Sequence, residues 1–253
     1  MPQSGLQTRR WAFSGVSVAI LGLSACGPAP APSGINDPYE KQNRETHKFN
    51  QIVDKNVIRP IAIGATVIPK PIAKGVANFG DNLGLPNLVI NDLLQARFED
   101  AVPNALRFVF NTTIGIGGIL DPATQMGLPE RPTDFGQTLQ VWGVSEGAYT
   151  ELPLLGPSTE RDAAGKVVDF FMDPTRFFFP GNQRRVAAWV KGTARVAARI
   201  DERGRYSETY DSILYGSADS YAQARLLYLE NRRHNLGQTA TTSDFEDPYA
   251  QQQ

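Results

Sequence analysis

Cys26 is the only cysteine in a chain of 253 residues, and the residues ahead of it set the conditions under which the rest must fold. Arg9 and Arg10 supply a positive n-region, and Trp11 to Leu23 form an apolar run without an acidic group. That run is too short for an ordinary membrane-spanning helix and ends in the small residues Ser24 and Ala25, as a secretory signal does. Arg9-Arg10-Trp11-Ala12-Phe13 also hints at a twin-arginine signal, which alters only the export route. With one cysteine, placed there, the exported body is denied a disulfide, a thiolate metal cluster and a cysteine nucleophile.

Leu23-Ser24-Ala25-Cys26-Gly27 resembles the lipobox of bacterial lipoproteins, which predicts cleavage before Cys26 and lipid on its sulfur. Each buried methylene contributes about 0.8 kcal/mol to membrane partitioning, so more than one acyl chain holds a protein firmly. The expected divisions are a signal peptide over 1–25, a Pro-rich lipidated tether over 26–36, a helical domain over 37–231 and a loose polar tail over 232–253. Losing 1–25 removes two arginines and no acid, taking the formal charge from −1 to −3. Such a balance offers no electrostatic footprint for nucleic acid. No later stretch is apolar for eighteen consecutive residues, which excludes a simple transmembrane helix in the mature chain.

The body reads as short helices. Asp37-Pro38-Tyr39-Glu40 has the spacing of a capped helix start, with Asp37 as cap and Glu40 completing the box. Phe49, Ile52, Val53, Asn56 and Val57 follow at spacings of three and four, and Pro60, Pro69 and Pro71 then cut the chain into pieces. Helical spacing returns at Leu88, Val89, Leu93 and Leu94, and at Leu106, Val109 and Phe110. It resumes over Asp162 to Phe171, Arg184 to Ile200 and Arg205 to Asn231. Thr138-Leu139-Gln140-Val141-Trp142 alternates instead, predicting a loop or short hairpin around 138–156. The fold class is mainly α.

Few constellations carry chemistry. Gly143-Val144-Ser145-Glu146-Gly147 matches a nucleophile elbow by letters, with His234 downstream, so a lipid-anchored serine hydrolase or phospholipase is one alternative. The elbow needs a helix after the serine, and Ala148 to Pro153 does not read as one. His47, beside Glu45 and Lys48, reads as a solvated residue on a polar helix face. Gly115, Gly117 and Gly118 have the wrong spacing for a dinucleotide loop and suit close packing or a hinge. There is no phosphate-binding G-x-x-x-x-G-K-[ST] loop, and no cofactor is expected. The Phe-rich stretch from Phe170 to Pro180 suits either a core or a lipid headgroup region. A purely structural lipoprotein, in which only Cys26 matters, is the other alternative.

Five stretches, in order over residues 36–180, resemble the MlaA/VacJ family of outer-membrane lipoproteins. They are Asn36 to Glu40 with Asn43-Arg44; Phe49-Asn50 followed by Val57 to Pro60; Asn78-Phe79 with Asn82-Leu83; Phe108 through Asn111 to Gly118; and Asp134 to Leu139 through Leu152 to Asp162. The resemblance implies a ring of short amphipathic helices lying in the membrane plane, partnered by a trimeric porin. A central amphipathic channel would take mislocalised phospholipids from the outer leaflet to a soluble periplasmic carrier, without an enzymatic step. Gly115, Gly117 and Gly118, in the fourth matching stretch, are candidates for channel or gating residues, while Phe49-Asn50 map onto the family's control element and Arg161-Asp162 onto the element after the hairpin. With Lys166 and Asp169, that last pair is expected either to face the channel or to form a solvated helix face. Gly27 after the lipidated cysteine favours the outer membrane, with the body facing the periplasm.

Overall fold

Proline and glycine punctuation sets the lengths of the helices. The structure, a computed structural model, describes residues 28, 29, 32, 34–172 and 181–238. Cys26, the signal segment, the aromatic residues beyond Asp173 and the chain past Gln238 lie outside the described residues.

Helix α1 (Glu40–Val53) runs through a π-helical turn (Asp54–Ile58) straight into α2 (Arg59–Ala65). Pro60 has no N–H to donate back, so the helix widens where that bond is missing. Lys70–Asn82 (α3) and Leu85–Leu94 (α4) each carry proline in the first turn, where a missing donor costs nothing. Next come α5 (Phe98–Thr113) and two short helices, α6 (Pro122–Gln125) and α7 (Phe135–Val141). Strands β1 (Tyr149–Leu152) and β2 (Gly156–Thr159) form an antiparallel hairpin that pairs Tyr149 with Thr159 and Leu152 with Gly156. The chain finishes with α8 (Glu160–Met172), α9 (Asn182–Arg205), α10 (Ser207–Asp211), a second π turn (Ser212–Gly216) and α11 (Ser220–Asn235).

Helix α4 packs on α5, α7 on α8, α9 along α2 and α3, α1 on β1, and α11 on β2. The α7–α8 crossing requires bare backbone on both sides. A Cβ on Gly165 would fall 2.4 Å from the Gly136 nitrogen.

The interior inverts the usual distribution. Among the described residues eleven apolar side chains are buried against twenty-three polar or charged ones. The apolar core reduces to Tyr149, Tyr221 and Leu229, with Tyr228 packed on them. Helix α5 shows the inversion clearly. Its buried face is Ala101, Asn104, Arg107 and Asn111, while Phe98, Val102, Leu106 and Val109 stand exposed. The 3.6-residue apolar period holds, but its stripe faces outward.

Three expectations need correction. Helix α1 starts at Glu40 without a side-chain cap, because Asp37 is taken by Asn43, Tyr221 and Arg225. Residues 138–141 lie in α7, where Asp134 Oδ1 accepts the Gln137 N–H at 2.8 Å; capping overrides the alternation, and the hairpin sits later, over 149–159. The chain from 232 is not yet a tail. Arg232 and Arg233 continue α11 in ion pairs, and Gln238 is buried, donating to the Ala29 carbonyl.

Candidate functional site

Asn43, His47 and Asn50 lie four and three residues apart on α1, one face of a helix, and that face grips the hairpin. The Asn43 side chain donates to the Tyr149 carbonyl (3.1 Å) and accepts from the Glu151 N–H (2.9 Å), imitating a third strand. Asn50 donates to the Leu152 carbonyl (3.0 Å) and to Glu151 Oε1 (3.1 Å), and accepts from the Leu154 N–H (2.7 Å). The left-handed backbone at Leu154 (φ +65°) turns that N–H toward α1 and leaves Leu154 and Leu155 exposed at the tip. Phe49, its neighbour, is half exposed.

Glu151 is the hub of the junction. Its carboxylate is buried and takes bonds from Asn50, from His47 Nδ1 (3.3 Å) and from the Tyr149 hydroxyl (2.6 Å). Burial, then the bond to Glu151, pushes the Tyr149 phenol far above its usual range, so it stays a donor. His47 Nε2 lies 3.2 Å from Ser220 Oγ, joining α1 to the start of α11. The expectation that His47 is solvated is wrong. It is 4% exposed, because α11 folds over the helix face that looked polar.

Charge locks surround the junction. Arg44 makes a two-point contact with Asp219, holding that carboxyl at about 2 through side-chain hydrogen bonding. Arg203 reaches Asp54 with two nitrogens (3.0 and 2.8 Å) and Asp211 with one (2.7 Å), tying α9 to the π turn after α1. Asp162 is buried, which alone would raise its pKa. Arg232, with two bonds of 2.9 Å, and the Tyr228 hydroxyl at 2.6 Å bring it below the ordinary carboxylate range.

The remaining sequence candidates fall into two groups. Arg161 and Asp162 are buried at 3% and 4% exposure, so neither stands on an open wall or a solvated face. Asp169 accepts from Asn87, Asn91 and the Phe135 N–H, joining α8 to α4 and α7, and Lys166 donates to Ser158 Oγ at 3.0 Å. Gly115, Gly117 and Gly118 lie in the turn after α5. A Cβ on Gly118 (φ +99°) would fall 2.5–2.7 Å from Asn82, and one on Gly115 would fall 2.4 Å from the Asn111 carbonyl. Gly117 has open space. The turn is therefore pressed against α3 and α5, with one loose corner.

Ser145 is not on an elbow. Helix α7 precedes it and strand β1 follows, the reverse of the strand–turn–helix order that lifts a nucleophile. Ser145 and His234 are both exposed, and Glu146 is paired with Arg233 at 2.8 Å. Among the described residues no helix is long and apolar enough to cross a membrane.

Residues 35–235 match the family model of the MlaA lipoprotein. The chain belongs to the MlaA lipoprotein family. It is 31% identical over 229 residues to the intermembrane phospholipid transport system lipoprotein MlaA of Escherichia coli, covering 86% of this chain and 85% of that protein. The protein of the same name in Haemophilus influenzae is 31% identical over 219 residues, covering 85% of each. An uncharacterized protein of Rickettsia felis is 36% identical over 193 residues, 76% of this chain and 74% of its own. A solved chain described under "Structural basis for maintenance of bacterial outer membrane lipid asymmetry" superposes with a TM-score of 0.65 at 28% identity. It covers 79% of this chain and 98% of its own. The family resemblance and the mainly helical fold both hold.

Sequence reading missed Asn43, His47 and Glu151 as parts of one device. The signal was present in the 43–47–50 spacing, three polar residues on one face of a helix whose other residues are mixed.

Proposed function

We propose that this chain is an outer-membrane lipoprotein that removes mislocalised phospholipid from the outer leaflet and passes it toward the periplasm, maintaining lipid asymmetry. The observation that carries the reading is the inverted distribution of polarity. Exposed large side chains continue from Ile61 and Ile63 through Val67, Ile72 and Val76, and recur on α5, α8 and α9. Most of these side chains are about half exposed, so moving each from water to an apolar medium gains about half of the roughly 1.5–3 kcal/mol that full burial gives. Half a dozen together rival the 5–15 kcal/mol that typically holds a domain folded. That surface is suited to acyl chains. The polar interior is suited to headgroups, which require hydrogen bonds wherever they pass through a low-dielectric region. Short helices broken by proline and glycine make a ring in the membrane plane more readily than straight spans do.

Cys26 is the lipid attachment point, and the body faces the periplasm. A trimeric porin covers part of the apolar rim, and a soluble periplasmic carrier receives the lipid, as the family resemblance implies. Movement requires no bond to be made or broken, so Ser145 and His234 have no catalytic part. Phe49 and Asn50, with the hairpin that Asn50 holds, form the control point, and the turn at Gly115, Gly117 and Gly118 flexes at its loose corner. Lys166 lies closest to a passing headgroup, while Arg161, Asp162 and Asp169 brace the wall from behind.

The deciding experiment measures outer-leaflet phospholipid in cells lacking the protein, complemented by wild type, Cys26→Ala or Ser145→Ala. Surface phospholipid should rise on deletion and be restored by wild type and Ser145→Ala but not by Cys26→Ala. No rise on deletion would sink the reading.

A further inference from the structure

Helix α3, the turn after α5 and the short helix α6 line a cleft to which neither α1 nor the hairpin contributes. Pro71, Lys74, Gly75 and Asn78 are spaced three, one and three residues apart, so they share one face of α3. Ile114, Ile119 and Leu120 come from the turn, and Gln125 from α6. The cleft holds about 460 Å³, inside the range of about 300–1,000 Å³ usual for a small-ligand site.

Its walls are fixed in advance of any ligand. Gly75 lets the turn approach α3, since a Cβ there would fall 3.1 Å from Ile119 Cγ2. Asn78 donates to the Ile119 carbonyl at 3.0 Å, and the Leu120 N–H donates to the Gly115 carbonyl at 2.9 Å. Yet Ile114, Ile119 and Leu120 stay 61%, 47% and 52% exposed. Three large aliphatic side chains held on one cleft gain nothing from water and are matched by hydrocarbon.

The charge on the cleft is one-sided. Lys74 and Asp121 are the only charged side chains among the described residues that line it. Asp121 is already engaged by Arg107, Asn111 and Thr124. Lys74 is exposed and has no ion pair or hydrogen bond from its side chain among the described residues, so its charge is available to an anion. A bare phosphate would leave the three aliphatic side chains in water, and a plain hydrocarbon would leave Lys74 without a counter-ion. A ligand that carries both groups satisfies both.

We propose that this cleft holds one phospholipid, with an acyl chain against Ile114, Ile119 and Leu120 and the phosphate on Lys74. The assignment rests on the lipid-handling reading above and adds a holding site on α3, separate from the α1–hairpin junction.

The test uses the purified full-length lipoprotein in a maltoside detergent, which brings no phosphate. Two probes carry the same diazirine-bearing acyl chain, one a phosphatidylglycerol and the other a diacylglycerol. After photolysis the labelled peptides should cover residues 71–78 and 114–125. The phosphatidylglycerol should label them about fivefold more than the diacylglycerol, the worth of one lysine beside lipid phosphate. Lys74→Gln should bring the ratio to about one, while Lys74→Arg and Lys70→Gln, the latter off the cleft wall, should keep it. Equal labelling by the two probes in wild type, or a wild-type ratio in Lys74→Gln, overturns the phosphate site. A cleft that neither probe labels is closed by protein, a porin or a second copy, and the assignment falls. The retrieval reading fails separately, if deleting the protein leaves surface phospholipid unchanged.

Discussion

Asn50 and Leu154 are 104 positions apart, yet one side-chain amide closes the hairpin tip onto α1, accepting the Leu154 N–H at 2.7 Å while donating to the Leu152 carbonyl at 3.0 Å. The tip has a second constraint in the positive φ of Leu154, a conformation that costs a non-glycine residue about 1–2 kcal/mol. Without Asn50 that cost has no compensating bond.

Asn50→Ala should therefore free the tip while leaving the fold intact. Asn43 still holds Tyr149 and Glu151, so β1 stays seated and only residues 152–155 lose protection. Exchange of the Leu154 amide should accelerate by at least about tenfold, and Tm should fall only slightly. An unchanged Leu154 rate would show that the tip is held by its own turn.

Arg203 anchors α9 to α1 through Asp54, and both partners are buried, at 4% and 11% side-chain exposure. Removing the guanidinium strands a carboxylate whose remaining partner is the Tyr215 hydroxyl. Arg203→Met should cost about 3–5 kcal/mol by denaturant unfolding, the usual penalty for leaving one buried charge alone. Arg59→Ala, on the exposed side of the same network, should leave the unfolding midpoint nearly unchanged. Equal losses from the two would place the network's strength in its outer edge.

Asp92 is buried beside Asn104, and burial raises its carboxyl to about 6 despite the opposing Asn104 bond. A carboxyl whose folded pKa lies above its unfolded value near 4 binds its proton more tightly when folded. Its contribution is greatest below about pH 4 and is lost as pH rises through about 6. Asp92→Asn mimics the neutral form, so the variant should be more stable than wild type at pH 7 by about 2 kcal/mol and equal to it near pH 4. Urea titrations at the two pH values separate this from a general packing effect, which would act at both.

Much of the fold was legible in the chain because helix periodicity and proline stops are local. Leu106, Val109 and Phe110 predicted α5, and the α1 and α11 patterns predicted their helices. What periodicity does not carry is the medium on each side of a stripe. Asn104, Arg107 and Asn111 look like an outer face and prove to be the inner one. His47 misled for the same reason, since its burial depends on Ser220 and Tyr221, more than 170 residues later. Asp37 satisfied every local rule for a cap, but a tyrosine and an arginine from α11 claimed it. Thr138 to Trp142 alternated over too few residues for a strand signal to outweigh the Asp134 cap ahead of it.

The turn after α5 carries a last prediction, since two of its glycines look alike in sequence and differ in structure. Gly117 and Gly118 both have positive φ, +69° and +99°. Any Cβ at Gly117 enters open space, so Gly117→Ala meets only the backbone penalty of about 1–2 kcal/mol. At Gly118 the same methyl would fall 2.5–2.7 Å from three atoms of Asn82, whose side chain is 2% exposed and bonded to Thr112 Oγ1 at 2.9 Å. Asn82 has no space to yield and its bond links α3 to α5, so Gly118→Ala should add overpacking of about 1–3 kcal/mol to the backbone term. The double variant Gly118→Ala with Asn82→Ala removes two of the three clashing atoms, Cγ and Nδ2, leaving Cβ, so Gly118→Ala should cost less in the Asn82→Ala background than in wild type. Equal unfolding midpoints for Gly117→Ala and Gly118→Ala would mean that the turn lifts off α3 at little cost, and the close packing assigned to it would be wrong.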